Sequence, residues 1–390
     1  MDLLADLRRD AAEFAGWRHD LHRHPELAFE EHCTARFIAE KLRSFGLDPV
    51  EGVGGTGVVA VIDGGAPGPS IGLRADVDAL PLTEESGVPY SSASEGRAHA
   101  CGHDGHTAAL LATARHLARH RPPHGRAVMI FQPAEEIVAG ARRMLDDGVL
   151  KRFPIDEIYA FHNMPALPLG TAAVDTGTTL NGACLWDVTV EGVGGHGASF
   201  FTTIDPLQAA ARLVVELSSL VGRYIDPAEA VLLSVGKLQA GTAANIIPAT
   251  ANVEGTLRGR TAEAIEKMRS LLLRSCDGIA ALTGCRLTCR IKVDVPPCVN
   301  AALQAEAAAR ACAAVLGEDN VRRQTPTLPF TDDFAHFLDA VPGAYLFLGQ
   351  DSLMCHHPGY DFDDALLPIA AAIFIRLLDD RLGGLRLNAR

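Results

Sequence analysis

Strand-like and helix-like segments alternate along the first half of this chain, and this alternation limits its possible folds more than any other feature. Predicted strands cover residues 58–62, 71–73, 126–131 and 157–161. Helical patterns cover 10–43, with a break at His24-Pro25, and then 107–120 and 139–150. Such an alternation is typical of a mostly parallel central sheet with helices on both faces. We therefore expect an α/β fold for this part of the chain.

A middle section with a different pattern interrupts this arrangement. The predicted order there is strand 185–191, helix 206–220, strands 230–239 and 250–258, helix 262–282 and strand 286–293. This order predicts a two-layer α+β unit of the ferredoxin-like kind. Helices and a strand resume over 301–316, 344–348 and 366–382. We expect a discontinuous domain of residues 1–182 and 297–390, with a second domain of residues 183–296 inserted into it.

The composition argues against several classes of protein. The 390 residues are 48% apolar with a formal net charge of −13, which disfavours nucleic acid or an anionic membrane as the main partner. No apolar run approaches the roughly 18 residues of a membrane helix, and residues 1–10 do not resemble a signal peptide. Nine cysteines without framework spacing indicate reduced thiols. We expect a cytoplasmic protein.

Residues 99–106 combine a thiol, three imidazoles and a carboxylate: His99, Cys101, His103, Asp104 and His106. This mixture of side chains is suited to binding a transition metal. Two other interpretations of Cys101 are a buried thiol and a nucleophile with His103 as its base. Residues two apart rarely face one another, which disfavours the nucleophile.

Further ligand-type residues come just after predicted strands. They are Asp76 and Asp78, Glu135 and Glu136, His162, and the doublet His356-His357. In open α/β sheets, sites form outside the carboxyl ends of the strands. Any one of these residues could be an ordinary loop residue, and Glu135-Glu136 could simply favour a helix N-terminus. Taken together they predict a metal site at one edge of the sheet.

Two segments, 52–57 and 192–197, match the G-x-G-x-x-G pattern of dinucleotide-binding proteins. That fingerprint must follow a strand and open a helix. The first segment leads into a strand, and the helix after the second begins only near Pro206. We therefore expect no nicotinamide site.

Eight motifs carry a resemblance to a known family. They are His22-Arg23-His24-Pro25-Glu26-Leu27, Arg74-Ala75-Asp76-Val77-Asp78-Ala79-Leu80-Pro81, His99-Ala100-Cys101-Gly102-His103-Asp104-Gly105-His106, Gln132-Pro133-Ala134-Glu135-Glu136, Phe161-His162-Asn163, Gly194-Gly195-His196-Gly197-Ala198, Asn245-Ile246-Ile247-Pro248 and Cys355-His356-His357-Pro358. In this order the chain resembles the M20 metallopeptidase family, in particular its branch of aminoacylases, hippurate hydrolases and auxin-conjugate amidohydrolases. The motifs span almost the whole chain.

The resemblance implies a binuclear metal centre. Its ligands would be Cys101, His103, Glu136, His162 and His356, with Cys101 bridging two divalent ions. Zinc, manganese, cobalt and nickel all remain open, since their ligand preferences overlap. His357 is the alternative to His356, because the two histidines are adjacent.

The resemblance also assigns catalytic and substrate-binding roles. Glu135 would be the general base, Asp78 would orient the site, and Asp76 would bind metal or support a ligand. From the inserted domain, His196 and Asn245 would stabilise the oxyanion. Arg258 would pair with the substrate α-carboxylate, unless it is an ordinary surface residue of its strand. The inserted domain would serve as a lid and for dimerisation.

Three departures from the family pattern leave the substrate open. Phe200-Phe201 replace a usual Pro-His, and Asp332 replaces a usual glutamate in Phe330-Thr331-Asp332-Asp333-Phe334. Residues 178–182 replace a Met-Ala-rich strand. The phenylalanines could line an apolar pocket or pack the lid.

The expected function is hydrolysis of the amide bond in N-acyl amino acids, with acetyl, benzoyl or longer acyl groups. The expected partners are this small substrate and a second copy of the chain, in a homodimer or larger homo-oligomer. A dipeptidase or carboxypeptidase of the same family is the main alternative, and a deacetylase of a biosynthetic N-acetyl amino acid is a close variant. A metal-binding homologue without activity would lack a ligand or the base, and none is missing.

Overall fold

A computed structural model describes residues 3–324 and 330–384 and divides the chain into two compact units. The first unit takes in the described residues up to Thr179, those from Val299 to residue 324, and those from Asp332 onward. The second unit is Leu180–Cys298 with Phe330 and Thr331, two residues that the sequence analysis assigned to the discontinuous domain.

The helices and strands up to residue 180 are α1 (Leu3–Arg9), α2 (Ala11–Arg23), α3 (His32–Ser44), β1 (Val50–Val53), β2 (Gly57–Asp63), β3 (Ser70–Asp76), α4 (His103–Arg119), β4 (Arg126–Gln132), α5 (Gly140–Asp146), α6 (Val149–Arg152), β5 (Glu157–Met164), β6 (Ala172–Ala173) and β7 (Gly177–Leu180). Those that follow are β8 (Gly182–Glu191), β9 (Gly195–His196), α7 (Pro206–Tyr224), β10 (Leu232–Ala240), β11 (Ile246–Ile247), β12 (Thr250–Gly259), α8 (Ala262–Thr283) and β13 (Arg286–Val295). The last are β14 (Cys298–Asn300), α9 (Ala302–Leu316), β15 (Val321–Arg322), α10 (Ala335–Ala340), β16 (Gly343–Gly349) and α11 (Leu366–Leu382).

An eight-stranded sheet forms the centre of the first unit, in the order β1-β2-β4-β3-β5-β16-β6-β15. Its four central strands, β4, β3, β5 and β16, run parallel to one another. Every residue of β3 and β16 is buried, as expected of strands covered on both faces. Helices α4 and α11 pack against each other within the same hydrophobic core. The expected α/β class is confirmed.

Several predicted boundaries differ from the structure. Helix α4 begins at His103, four residues before the predicted Thr107, because an N-terminal turn needs no apolar periodicity. The predicted helix 139–150 is two short helices separated by Gly148, whose φ of 78° ends the first. Strand β5 continues to Met164, so His162 lies inside a strand rather than after it.

The second unit contains an antiparallel sheet in the order β10-β12-β8-β13, with α7 and α8 packed on it. Alternate residues of β8, Cys184, Trp186, Val188 and Val190, face the helices and form its core with them. Helix α7 begins where the Asp205 carboxylate accepts hydrogen bonds from two backbone N–H groups, with Pro206 next. Across the described residues of both units, no helix is long and apolar enough to cross a membrane.

Candidate metal centre and active site

The carboxyl ends of four adjacent parallel strands meet at one edge of the first unit's sheet. Asp76 ends β3, Glu135 and Glu136 follow β4, His162 lies near the end of β5, and His356 follows β16. Because these strands are parallel neighbours, residues far apart in sequence come together at this edge.

The start of α4 brings Cys101 and His103 to the same edge. Gly102 has a φ of 99°, in the left-handed region that favours glycine. A Cβ at this position would lie 2.6 Å from the Tyr360 hydroxyl. The sequence Cys-Gly-His therefore turns sharply here, and only a glycine fits between its two ligand-type residues.

Two triads of ligand-type atoms share Cys101. The first is Cys101, His103 and His162, and the second is Cys101, Glu136 and His356; in each, the atoms lie within 4.8 Å of one another. The Cys101 Sγ lies 3.4 Å from His162 Nε2, and His356 Nε2 lies 3.4 Å from Glu136 Oε2. A thiol common to two triads is arranged as a bridging ligand would be.

Hydrogen bonds fix which ring nitrogens face this cluster. His103 Nδ1 donates to the Asp78 carbonyl at 2.9 Å, and His162 Nδ1 donates to the Asn163 carbonyl at 2.8 Å. In the neutral form of each ring, Nε2 is then the acceptor, and it lies within the cluster. Metal-binding histidines commonly donate their other nitrogen in this way.

The donor set fits divalent metal ions. Within the part of the chain that the structure describes, His103 Nε2 and Glu136 Oε1 are buried without a hydrogen-bond partner. Buried polar atoms normally have partners, and these two atoms lie 3.8 Å apart, too far for a hydrogen bond between them. A cation satisfies both atoms.

Charges in this cluster shift the pKa values of its members. Burial lowers the pKa of His103, but the carboxylates of Asp76 and Glu136 outweigh it and raise the pKa well above its usual range. Burial raises the pKa of Glu136 to about 7, although His103 opposes the shift. Excess negative charge of this kind is neutralised when a cation binds.

Glu135 lies beside the ligand cluster, 3.8 Å from His103 Nε2 through its Oε2. Ala134 before it has a φ of 54°, and its N–H donates to the Glu31 carboxylate at 2.9 Å. This turn aims Glu135 and Glu136 at the same edge. Burial, followed by the nearby Asp332, raises the pKa of Glu135 well above its usual value, so its carboxylate is a strong proton acceptor.

Asp76 and Asp78 hold the neighbouring groups in place. The Asp76 carboxylate accepts from His106 Nδ1 at 2.6 Å, and the Asp78 carboxylate accepts from the Glu136 N–H at 2.9 Å. His106 Nε2 lies 2.6 Å from the Asn163 Oδ1. Asp78 therefore contacts the backbone of Glu136, which the sequence predicts as a ligand.

Arg74, for which the sequence predicted no role, is buried close to Glu135. Its guanidinium is 1% exposed and binds Asp76 at 2.7 Å and Asp332 at 3.0 Å. Gln132 accepts from Arg74 Nε at 2.8 Å and donates to Asp333 at 2.7 Å. A charged residue inside an otherwise apolar strand was the sequence signal for this buried network.

Three predicted substrate-binding residues lie in the second unit. His196 is exposed on β9, where its Nδ1 accepts from the Ala198 N–H at 3.1 Å, and Asn245 is exposed in the turn before β11. The half-buried Arg258, on β12, donates to the Thr331 hydroxyl at 2.8 Å.

The structure also places four residues whose roles the sequence left open: His357, Phe200, Phe201 and His99. His357 accepts from the Gly359 N–H at 3.0 Å, whereas His356 faces Glu136. Phe200 and Phe201 are 67% and 77% exposed, so in this unit they do not pack into the core. His99 is buried and next to the cluster, with no partner for either nitrogen among the described residues.

Known proteins are similar to this chain in sequence over almost its whole length. The hippurate hydrolase of Campylobacter jejuni is 36% identical over 378 residues, covering 97% of this chain and 98% of that protein. The N-acetylcysteine deacetylase of Bacillus subtilis is 37% identical over 363 residues, covering 92% of this chain and 94% of that protein.

Solved structures are also similar to this chain over almost its whole length. One from methicillin-resistant Staphylococcus aureus superimposes with a TM-score of 0.90 at 30% identity, covering 98% of this chain and all 100% of that one. The Bacillus subtilis YXEP protein, described as a dinuclear metal binding peptidase from the M20 family, has a TM-score of 0.82 at 32% identity, with 95% and 98% coverage. The chain also matches the family described as Peptidase family M20/M25/M40 over residues 72–380. The resemblance of its motifs is confirmed: this protein belongs to peptidase family M20/M25/M40.

Proposed function

We propose that this protein is a metal-dependent amidohydrolase that cleaves N-acyl amino acids to a carboxylate and a free amino acid. The observation that carries the proposal is the pair of buried atoms without a hydrogen-bond partner, His103 Nε2 and Glu136 Oε1, which lie next to a shared thiol and to the carboxylate of Glu135. Relatives named hippurate hydrolase and N-acetylcysteine deacetylase, each 36% identical or more, support hydrolysis of a linear amide.

The metal centre we propose uses Cys101, His103, Glu136, His162 and His356 as ligands for two divalent ions. His356 is preferred over His357 because its Nε2 lies 3.4 Å from Glu136. When bound, such ions lower the pKa of a water molecule towards neutrality and polarise the substrate carbonyl. Thiolate with imidazole suits zinc, cobalt or nickel, and the carboxylate ligand also suits manganese.

The side chain of Glu135 then has the task of moving a proton. It accepts the proton of the attacking water and passes it to the amine that leaves. Two features of the chain suit it to this role: its carboxylate belongs to no Cys101 triad, and burial raises its pKa. Asp78 holds the Glu136 backbone, and so fixes the adjacent Glu135.

Substrate binding is proposed for His196, Asn245 and Arg258. His196 and Asn245 would donate to the oxyanion as it forms, and Arg258 would pair with the α-carboxylate of the amino acid. Arg258 is half-buried on β12, and its guanidinium has the planar donor geometry that pairs with a carboxylate. We further propose a cytoplasmic homodimer formed through the second unit, which size-exclusion chromatography with light scattering would test.

The decisive experiment compares wild type with Glu135→Gln on N-benzoylglycine, N-acetylcysteine and a dipeptide. We expect kcat on the acyl amino acids to fall by about 10²–10⁴-fold, the range for a general base, with unchanged metal content. The matched control is Glu318→Gln, whose side chain is 70% exposed, and it should keep full activity. Chelation should abolish activity, and added Zn²⁺, Mn²⁺ or Co²⁺ should restore it.

Two outcomes would contradict the proposal. Hydrolysis that survives both chelation and Glu135→Gln would exclude this site. Higher kcat/KM on the dipeptide than on either acyl amino acid would favour the carboxypeptidase alternative, an activity named among relatives that are 33–34% identical.

A further inference from the structure

Cys355 is a half-buried thiol that the mechanism does not use, and it contacts the thiol that both metal triads share. The Cys355 and Cys101 side chains lie close enough to interact with each other. The Cys355 Sγ also lies 3.7 Å from the Cys101 carbonyl oxygen. Next to it, the His356 N–H donates to the Ala100 carbonyl at 2.7 Å, so the two backbone segments run side by side.

Cys355 is not placed as a metal ligand. Its sulfur belongs to none of the groups of three or more ligand atoms found among the described residues, although Cys101 belongs to two. Its other polar neighbour is Asn163, whose Nδ2 donates to it at 3.5 Å. A thiol that touches a ligand thiol without sharing its ligand partners is positioned to form a disulfide with it.

We propose that Cys101 and Cys355 form an oxidisable pair, and that a hydroperoxide converts them to a disulfide that prevents metal binding. Cys355 is the more accessible thiol, since Cys101 is 7% exposed and Cys355 is half-buried. A backbone hydrogen bond already joins the neighbouring residues His356 and Ala100, which favours the approach of the two sulfurs to the bonding distance of about 2.05 Å.

The chemistry balances in two steps. The Cys355 sulfur attacks the peroxide, the O–O bond breaks, and the products are a sulfenic acid and an alcohol or water that carries the thiol proton. The Cys101 sulfur then attacks the sulfenic sulfur, and the hydroxyl group leaves as water with the second thiol proton. Two electrons pass from the thiols to the peroxide.

Disulfide formation and metal binding then exclude each other. Both need the Cys101 sulfur, and a metal ion holds it as a thiolate ligand that cannot attack the sulfenic acid. The metal-free chain should therefore oxidise faster than the loaded chain. Only the competition between the disulfide and the metal rests on the proposed function. The disulfide in the metal-free chain forms whether or not the protein is an amidohydrolase.

Peptide mapping tests the proposal directly. Trypsin releases Cys101 in residues 98–115 and Cys355 in residues 324–376, each with a single cysteine. The full chain, stripped or loaded with Zn²⁺, is treated with hydrogen peroxide, blocked with N-ethylmaleimide and digested without reductant. We expect the linked peptide in the stripped chain, its loss on adding dithiothreitol, and at least tenfold slower formation in the loaded chain. Oxidised chain should take up less than a tenth of the zinc bound by reduced chain.

Matched variants isolate the pair. Cys33→Ser removes an exposed thiol elsewhere and should leave the linked peptide unchanged. Cys355→Ser and Cys355→Ala should both form no link to Cys101 and keep zinc uptake after mild peroxide treatment. Free Cys101 and Cys355 after oxidation of the stripped wild type, or a link from Cys101 to another cysteine, would overturn the proposal. So would zinc uptake that the Cys101–Cys355 link leaves unchanged.

Discussion

Replacing Arg74 with methionine tests how charge is arranged beneath Glu135. The Arg74 guanidinium is 1% exposed and serves two buried carboxylates, Asp76 at 2.7 Å and Asp332 at 3.0 Å. Burial, with the nearby Asp332, raises the pKa of the third carboxyl, Asp333, to about 8, so it is largely neutral at pH 7. Methionine keeps an unbranched apolar stem but removes the guanidinium that Asp76 and Asp332 share, while Asp76 keeps its hydrogen bond to His106.

The size of the effect follows from the easiest way to relieve this charge, which is for one carboxyl to bind a proton. Protonating an aspartate of ordinary pKa costs about 4 kcal/mol at pH 7 and about 1.5 kcal/mol at pH 5. The first figure lies within the roughly 3–5 kcal/mol measured when one partner of a buried ion pair is removed. The variant's carboxyl has a folded-state pKa raised above its unfolded value, so its destabilisation grows as pH rises above about 4.

The two tryptophans allow the first unit to be followed by itself. Trp17 lies in that unit and Trp186 in the second, so in a Trp186→Phe background the fluorescence reports on the first unit. With chelator present, Arg74→Met should lower the thermal midpoint by about 8–16 °C at pH 7, for a unit of this size. At pH 5 the drop should be less than half as large.

Two further variants distinguish charge from packing. Arg74→Lys keeps the charge but loses the planar fork, so it should lose less stability than Arg74→Met. Adding Asp332→Asn to Arg74→Met should recover part of the loss, because it removes the charge of one of the two carboxylates that lose the guanidinium. Equal drops at pH 5 and pH 7, or no recovery in the double variant, would refute the reasoning.

Three other predictions concern single side chains. Burial lowers the pKa of His22, but its hydrogen bond to Asp104 outweighs burial and raises the pKa to about 9. The protonated ring therefore stabilises the folded state by up to about 3 kcal/mol, and this stabilisation should be complete below pH 6.5 and lost as pH rises to about 9. Thermal midpoints of wild type against pH should show this loss, and those of His22→Gln should not. Gly102→Ala should reduce the zinc content measured by mass spectrometry. The control Gly96→Ala has a φ of 73° and open space around it, so it should lower the free energy of unfolding by only about 1 kcal/mol. Arg258→Gln should raise KM about 10-fold or more for N-benzoylglycine, given the loss of a charge-assisted pair, and leave KM for N-benzoylglycinamide unchanged; equal changes for both would exclude pairing with the carboxylate.

Local sequence was sufficient where one segment carries the whole signal. The apolar run at 71–73 predicted a buried strand, and β3 covers Ser70–Asp76. Leu366–Leu382 was predicted as a helix with the bounds that α11 has, because apolar residues fill its buried face. Boundaries failed where capping or a positive φ decides them, as at His103 and Gly148. Such turns depend on single backbone angles that periodicity does not register.

The sequence by itself determined the fold class, the family and the set of residues able to bind metal, because strand periodicity and ordered motifs are local patterns. Tertiary structure alone decided which of those residues meet. It showed that His356 rather than His357 faces Glu136, and that Arg74 neutralises carboxylates under the site. It also placed Cys355 against Cys101, which lies 254 residues away. These contacts depend on the order of parallel strands in the sheet, which no single segment encodes.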